Sequence, residues 1–238
     1  MTGPGEHEPV ALRRLSTDPV IRIPPATPPA REALDGRLVR LEPLDAARHA
    51  AALFRAGHGP GQDDRWRFLP YGPFVDEVAM RSWIETSAAS KDPMFFAVCS
   101  PSGEAMGMTS YLNIHPSSGS IEAGHIWFGS RLQRTPAATE AIFLMMRHAM
   151  ERGFRRFEWK CDAANRPSRA AARRFGFQHE GIFYRATVVK GRNRDTAWYS
   201  VIEEEWPRVR AGFEAWLDPA NFSADGSQRR TLAACRGD

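Results

Sequence analysis

The stretch Ile126–Ala141, IWFGSRLQRTPAATEA, carries the most chemistry in this 238-residue chain. It reads as a strand, then a short turn, then the start of a helix with Thr135 as N-cap and Pro136 at the first helical position. The first N–H groups of a helix have no partner inside it, and the helix dipole adds partial positive charge there. Small residues, Thr135, Ala137, Ala138 and Thr139, let a ligand come close to that backbone. Such a corner suits an anion, a pyrophosphate in particular, with Arg131 and Arg134 adding charge. An ordinary capped helix packed on a sheet has the same pattern, and these residues alone leave both readings open.

The elements around this corner follow from periodicity and punctuation. Arg37–Leu44 alternates as a strand, and Asp45–Ala56 reads as a helix capped by Asp45. Asp63–Phe74, with two prolines and four aromatics, reads as an irregular connection, and Val75–Ser90 as a helix. Met94–Cys99, Ala105–Ile114 and Ser120–Phe128 are strands joined by short turns, hence an antiparallel meander. Ala138, Ala141, Ile142, Met145 and Ala149 give the next helix its buried stripe, and Gly153 ends it. Arg156–Cys161 is a strand. Asn165 caps a helix that stops at Gly176. Strands at Gly181–Val189 and Thr196–Glu203 flank a turn at Gly191–Asp195, and Glu204–Leu217 is a last amphipathic helix. Hairpins mixed with helical crossovers imply an α/β (α+β) domain: a mixed, mostly antiparallel sheet of about seven strands with helices on both faces.

Composition bounds the class. Hydrophobic residues are 42% and charged residues 25%, as in an ordinary globular domain. No apolar run approaches the roughly 18–20 residues of a membrane span, and the first thirty residues lack a secretory pattern. The expectation is a soluble, cytoplasmic protein that does not engage a membrane. Cys99, Cys161 and Cys235 are too few and scattered for a disulfide framework or a zinc cluster. The net charge is +4, and Lys91, Lys160 and Lys190 are the lysines among 32 basic residues. No basic stripe with a nucleic-acid motif is present, so no nucleic acid is expected; arginine nonetheless suits an acidic ligand. Residues 1–33 hold seven of the 18 prolines and read as a disordered, proline-rich arm. Residues 34–218 are the domain, and 219–238 read as a flexible tail. Met145, Met146 and Met150 read as core filling, and Trp159, Trp198, Trp206 and Trp216 as packing. Glu203–Glu205 reads as a helix-start charge cluster, and no metal is expected.

The element order and two motifs together resemble the GNAT family of N-acetyltransferases, and most closely its RimJ/RimL-like branch, which acetylates protein N-termini. The family's loop, Gln/Arg-x-x-Gly-x-Gly/Ala, stands here as Gln133-Arg134-Thr135-Pro136-Ala137-Ala138. Its second signature, Asn-x-x-Ser before a helix ending in Gly-Phe, stands as Asn165-Arg166-Pro167-Ser168 and then Gly176-Phe177. The likeness spans about residues 34–217.

That resemblance implies an acyl-CoA N-acyltransferase fold whose sheet splays at its centre, and direct transfer from acetyl-CoA to an amine in a ternary complex. The pyrophosphate would lie on the amides of Arg134 to Thr139, beside Gln133. The pantetheine arm would pair with Ile126 and Phe128, flanking Trp127, where the two central parallel strands part. Asn165, which is also a plain helix cap, and Ser168 would face that arm. An amide of the third meander strand would polarise the thioester. A base must take the ammonium proton, and relatives place a glutamate near Glu122. His125 is a second candidate; strand parity puts it on the opposite face unless a bulge intervenes. Tyr184 is a candidate acid. Trp66, Phe68, Tyr71 and Phe74 fall where the family lines its acceptor pocket, and equally read as a packed connection. The basic run Lys190–Asp195 lies beside that cleft, as a solvated turn or a contact for an acidic acceptor.

Two departures stand out. Pro136 replaces the loop glycine and deletes one amide donor. Ala172 stands where many members carry the tyrosine that protonates the leaving thiolate. The acceptor implied is a peptide N-terminus or a small amine such as an antibiotic or polyamine, for a monomer or homodimer. A non-catalytic acyl-CoA sensor and a nucleic-acid binder are the rival readings.

Overall fold

The computed structural model describes residues 8–13, 25–59 and 63–238. Its strands are β1 (Leu34–Asp35), β2 (Arg40–Pro43), β3 (Met94–Cys99), β4 (Ala105–His115), β5 (Ser120–Phe128), β6 (Arg156–Asp162), β7 (Gln178–Val189) and β8 (Arg192–Ile202). Its helices are α1 (Ala46–Gly57), α2 (Glu77–Ala88), α3 (Pro136–Glu151), α4 (Arg166–Arg174), α5 (Trp206–Leu217) and α6 (Leu232–Arg236). The strands form one sheet in the order β1-β2-β3-β4-β5-β6-β8-β7, with β5 and β6 parallel and every other adjacent pair antiparallel.

Strand β3 shows why the sheet is covered on both faces. All six of its residues are buried. Phe95, Ala97 and Cys99 point into a cluster with Leu53 of α1, Met80 and Ile84 of α2, Met108 and Trp127. Met94, Phe96 and Val98 point the other way, into the larger core beneath α3 and α5, with Tyr111, Ile121, Phe157 and Phe213. Helix starts are fixed by side chains that accept from orphan amides. Asp45 takes Arg48 N at 2.8 Å, Asp76 takes Ala79 N at 2.8 Å, and Thr135 takes Ala138 N at 3.2 Å.

The splayed, helix-covered sheet expected from the sequence is the one observed, with differences in its strands: β2 starts only at Arg40, β7 starts already at Gln178, and two others are larger. It has eight strands because Leu34 and Asp35 pair with Leu41 and Arg40 and add a short edge. The last hairpin turns at Lys190-Gly191, both at positive φ (48° and 73°), so β8 starts at Arg192 and not at Thr196. Two positive-φ residues make the tight connection that suits the strand twist. Arg192–Asp195 is polar throughout, so no apolar alternation announced that part of the strand.

The segments outside residues 34–218 also depart from the expectation, as far as they are described. In the expected arm, Ala11 N donates to His179 O at 2.8 Å and Ala26 is buried. The Glu8 carboxylate receives Tyr199 OH at 2.7 Å and the Arg169 and Arg173 guanidinia at 2.8 Å each. Arg13 donates to Glu180 at 2.5 Å and to Glu205 at 2.7 Å. Charge pairing holds these residues, which proline content does not disclose; residues 1–7 and 14–24 lie outside the described residues. The expected tail is likewise packed: α6 buries Leu232 and Arg236 on α5, and Arg236 donates to Arg174 O at 2.6 Å. Among the described residues no helix is long and apolar enough to cross a membrane.

Candidate active site

Parallel pairing of β5 with β6 runs from Ser120–Arg156 to Ala123–Trp159 and then stops. Across the other edge of β5, Met108 faces Trp127 and Ser110 faces Gly124, so three steps on β5 match two on β4. The extra residue makes a bulge, where His125 takes φ 53°. Beyond it Gly129 N donates to Met106 O at 2.8 Å. By alternation Trp127 and Gly129 then bond towards β4, and Ile126 and Phe128 turn their backbone groups into the gap beside β6. A cavity of about 970 Å³ opens there, lined by Ile126, Trp127, Phe128, Trp159, Asn165 and Ser168.

The loop entering α3 closes one end of this cavity. Thr135 Oγ1 accepts from Ala138 N and donates to Leu132 O at 2.7 Å, and Thr139 N reaches Thr135 O at 3.4 Å. Among the described residues the amides of Arg134 and Ala137 have no partner. Pro136 sits at the first turn of α3, where a helical N–H would have been unpaired. Arg134 takes φ 60°, a region that favours glycine, and holds the turn tight. Gln133, Arg134, Thr135, Ala138 and Thr139 line the cavity, while the Ala137 side chain does not. Gln133 Nε2 ties the loop to Phe128 O at 3.0 Å. Arg131 turns away to pair with Glu104 at 2.8 Å. Arg174 takes its place at the cavity wall, donating to Thr139 Oγ1 at 3.0 Å and stacking over Trp216. Asn165 caps α4 through Ser168 N at 3.1 Å and lines the cavity as well, so both of its expected roles are compatible. Ser168 Oγ accepts from Trp159 Nε1 at 3.0 Å.

A second cavity of about 260 Å³ shares Phe68, Ile126, Trp159, Asn165 and Ser168 with the first. Glu122, His125, Lys160 and Arg194 line it. Glu122 pairs opposite Leu112, in step with Ser110 and Met108, and so lies on the face of Trp127. The bulge brings His125 to that same face, its ring 5.0 Å from Phe95 and 5.6 Å from Tyr71. Glu122 is 5% exposed and receives Lys160 Nζ at 2.9 Å and Asn113 Nδ2 at 2.7 Å. Burial raises its carboxyl above the ordinary range, and Lys160 opposes only part of that. Burial, followed by the Arg194 cation, lowers the His125 imidazole to about 4. Its Nδ1 is buried without a hydrogen-bond partner.

The remaining sequence candidates divide clearly. Phe68 lines both cavities. Trp66 is 1% exposed and donates to Gly57 O, a packing role, and Tyr71 lies behind His125. Tyr184 is 67% exposed on β7 and lines neither cavity. Lys160 and Arg174 were not foreseen. The parallel register pairs Glu122 with Glu158, which puts Lys160 two residues on along the same face of β6, a signal available once the pairing is known. Away from the cavities, Glu42, His49 and Cys99 lie within 4.8 Å of one another. There His49 accepts from Asp45 N through Nδ1 and meets Glu42 through Nε2, which ties the start of α1 to β2.

The family profile described as "Acetyltransferase (GNAT) domain" matches residues 38–178. A GCN5-related N-acetyltransferase from Brucella melitensis is 44% identical, with a TM-score of 0.88 over 90% of this chain and 98% of that one. A GNAT-family protein from Chromobacterium violaceum ATCC 12472 is 45% identical, with a TM-score of 0.75 over 84% and 99%. RimL, a ribosomal L7/L12 alpha-N-protein acetyltransferase, and MccE, a microcin C7 self-immunity acetyltransferase in complex with acetyl-CoA and AMP, are each 22% identical with TM-scores of 0.61. RimL is covered over 99% and MccE over 93% of its length, by 74% and 70% of this chain, and at that identity they share the fold alone. None of the curated proteins matches significantly. Profile, fold and the parted central strands agree: the chain belongs to the GNAT family of acetyltransferases.

Proposed function

We propose that the protein transfers the acetyl group of acetyl-CoA to a primary amine. The observation that carries this reading is the gap between β5 and β6, which leaves Ile126 and Phe128 without a partner strand on that side and leads to the free amides of Arg134 and Ala137. Those amides, with the Arg134 and Arg174 side chains at the cavity wall, fit a pyrophosphate, and the gap fits an extended amide-bearing arm that pairs as a strand would. Glu122, buried and with its carboxyl raised, accepts the proton that an ammonium must lose before attack. His125 is neutral above about pH 4 and presents its unpartnered Nδ1 to the amine. A β5 amide in the gap polarises the thioester carbonyl. The amine nitrogen bonds to the carbonyl carbon and the carbon–sulfur bond breaks; sulfur leaves with the electron pair and takes a proton from water, which in turn takes up the proton that the nitrogen sheds. Ala172 is fully buried and offers no acid for that proton.

Calorimetry with acetyl-CoA, followed by thiol release in the presence of a panel of peptides and amines, tests the reading. The wild type binds acetyl-CoA and releases thiol only with an amine. Thr135→Arg fills the corner before α3 and weakens binding at least tenfold, a loss of about 1.4 kcal/mol. Unchanged affinity in that variant, or no binding by the wild type, overturns the assignment.

A further inference from the structure

We infer that the acceptor amine carries an oxyanion, a carboxylate or phosphate, within a few bonds of its nitrogen, and that Arg194 binds it. The inference rests on the transferase reading above and names the substrate class of the same site. Arg194 lines the 260 Å³ cavity together with Glu122, and the cavity is small enough to hold both ends of one compact group. Its guanidinium is half-buried and its Nε is sealed from solvent without a hydrogen-bond partner. Among the described residues it makes no ion pair.

The nearby acids take other donors and form no ion pair with it. Glu122 is held by Lys160 and Asn113. Asp162 accepts from Ala164 N at 2.8 Å. Asp195, next in the chain, accepts from Arg185 N at 2.7 Å, where the β7–β8 register slips between Phe183 and Thr187 and Arg185 takes φ 51°. A buried guanidinium N–H without a partner costs free energy, and an anion in the cavity supplies that partner.

The hairpin that carries Arg194 is also clamped. Lys190 Nζ, at its turn, donates to the carbonyl oxygens of Trp66 at 2.8 Å, Tyr71 at 3.2 Å and Gly72 at 2.5 Å. This joins the hairpin to the connection that supplies Phe68, and so fixes Arg194 relative to the cavity. Cation and carboxylate lining one small space match a ligand that carries both an anion and an ammonium. Arginine's planar fork suits either oxyanion.

Matched acceptor pairs decide the matter: aspartyl-alaninamide against asparaginyl-alaninamide, and phosphoethanolamine against ethanolamine. With acetyl-CoA present, kcat/KM is expected to be at least about tenfold higher for the anionic member of one pair, from a charge-assisted hydrogen bond. The first pair identifies a carboxylate and the second a phosphate. Arg194→Gln removes the preference and leaves acetyl-CoA affinity unchanged, and Arg194→Lys restores part of it. Where no member turns over, calorimetry on the CoA-loaded protein reads the same ratio as affinity. Equal use or equal binding within both pairs, binding of neither member, or a preference that survives Arg194→Gln, overturns the inference. Acetyl-CoA binding, measured separately, shows whether the transferase reading has failed with it.

Discussion

Acid should loosen the charged network around Arg156 through Glu180, and the size of the effect follows from its surroundings. Charges alternate along one face of the sheet, from Glu122 through Lys160, Glu158, Arg156 and Glu180 to Arg13. Burial alone would raise the Glu180 carboxyl; the Arg156 guanidinium at 2.5 Å, the Ser200 hydroxyl and Arg13 outweigh it and bring it from 4.5 to about 2. At full burial that displacement corresponds to about 3 kcal/mol. The side chain keeps 26% of its surface exposed, so solvent screening cuts the contribution to about 1–2 kcal/mol. The folded carboxyl lies below its unfolded value. Its contribution is therefore complete above about pH 4.5 and vanishes as the pH falls towards 2. The perturbation is Glu180→Gln, which keeps the shape and an acceptor for Arg156 and Ser200. Urea unfolding of wild type and variant between pH 2 and 7 should show the wild type more stable by about 1–2 kcal/mol at pH 6, with the difference closing below pH 4. A difference that stays constant over that range would refute the argument, because it would mean that the variant loses packing and not charge.

Two further outcomes probe the reaction directly. Glu122→Gln should lower turnover by about a hundredfold or more while the acetyl-CoA dissociation constant stays within error, and should abolish the acidic limb of the rate profile; full activity would remove Glu122 as base. Pro136→Gly adds an amide beside the two free ones, and calorimetry should find acetyl-CoA held as tightly or up to about tenfold more tightly. A large loss would show that the loop does not hold the pyrophosphate.

What the sequence disclosed, and what it hid, divides by range of interaction. Helix starts at Asp45, Thr135 and Asn165 were legible because a cap is a local bond between residues three apart. Neither placement on β5 was legible: strand parity groups Glu122 with Phe128 and against His125, and the inserted residue beside Gly124, with His125 at positive φ, puts Glu122 and His125 both on the face of Trp127. The start of β8 was misplaced because Arg192–Asp195 is polar and pairs through its backbone. The packed arm was hidden because Glu8 finds its partners on α4 and β8, more than 150 residues away. Arg174, unlike Arg131, reaches the start of α3 because it stands at the end of α4 within reach of Thr139, a tertiary fact with no local sign.

The bulge at His125 ties these facts together. Without it, β5 would keep one parity from Ser120 to Phe128, and His125 would point into the α3 side of the sheet, away from Glu122. With it, Glu122 and His125 share a face and a cavity. The same insertion adds twist to β5 just where its pairing with β6 ends, one residue past Ala123. A single irregularity thus falls where β5 and β6 part beside Ile126 and Phe128 and brings Glu122 and His125 to one face. It follows that restoring regular pairing, by deleting one residue at the bulge, should abolish acetyl transfer and acetyl-CoA binding together, whereas changing either side chain should affect transfer alone.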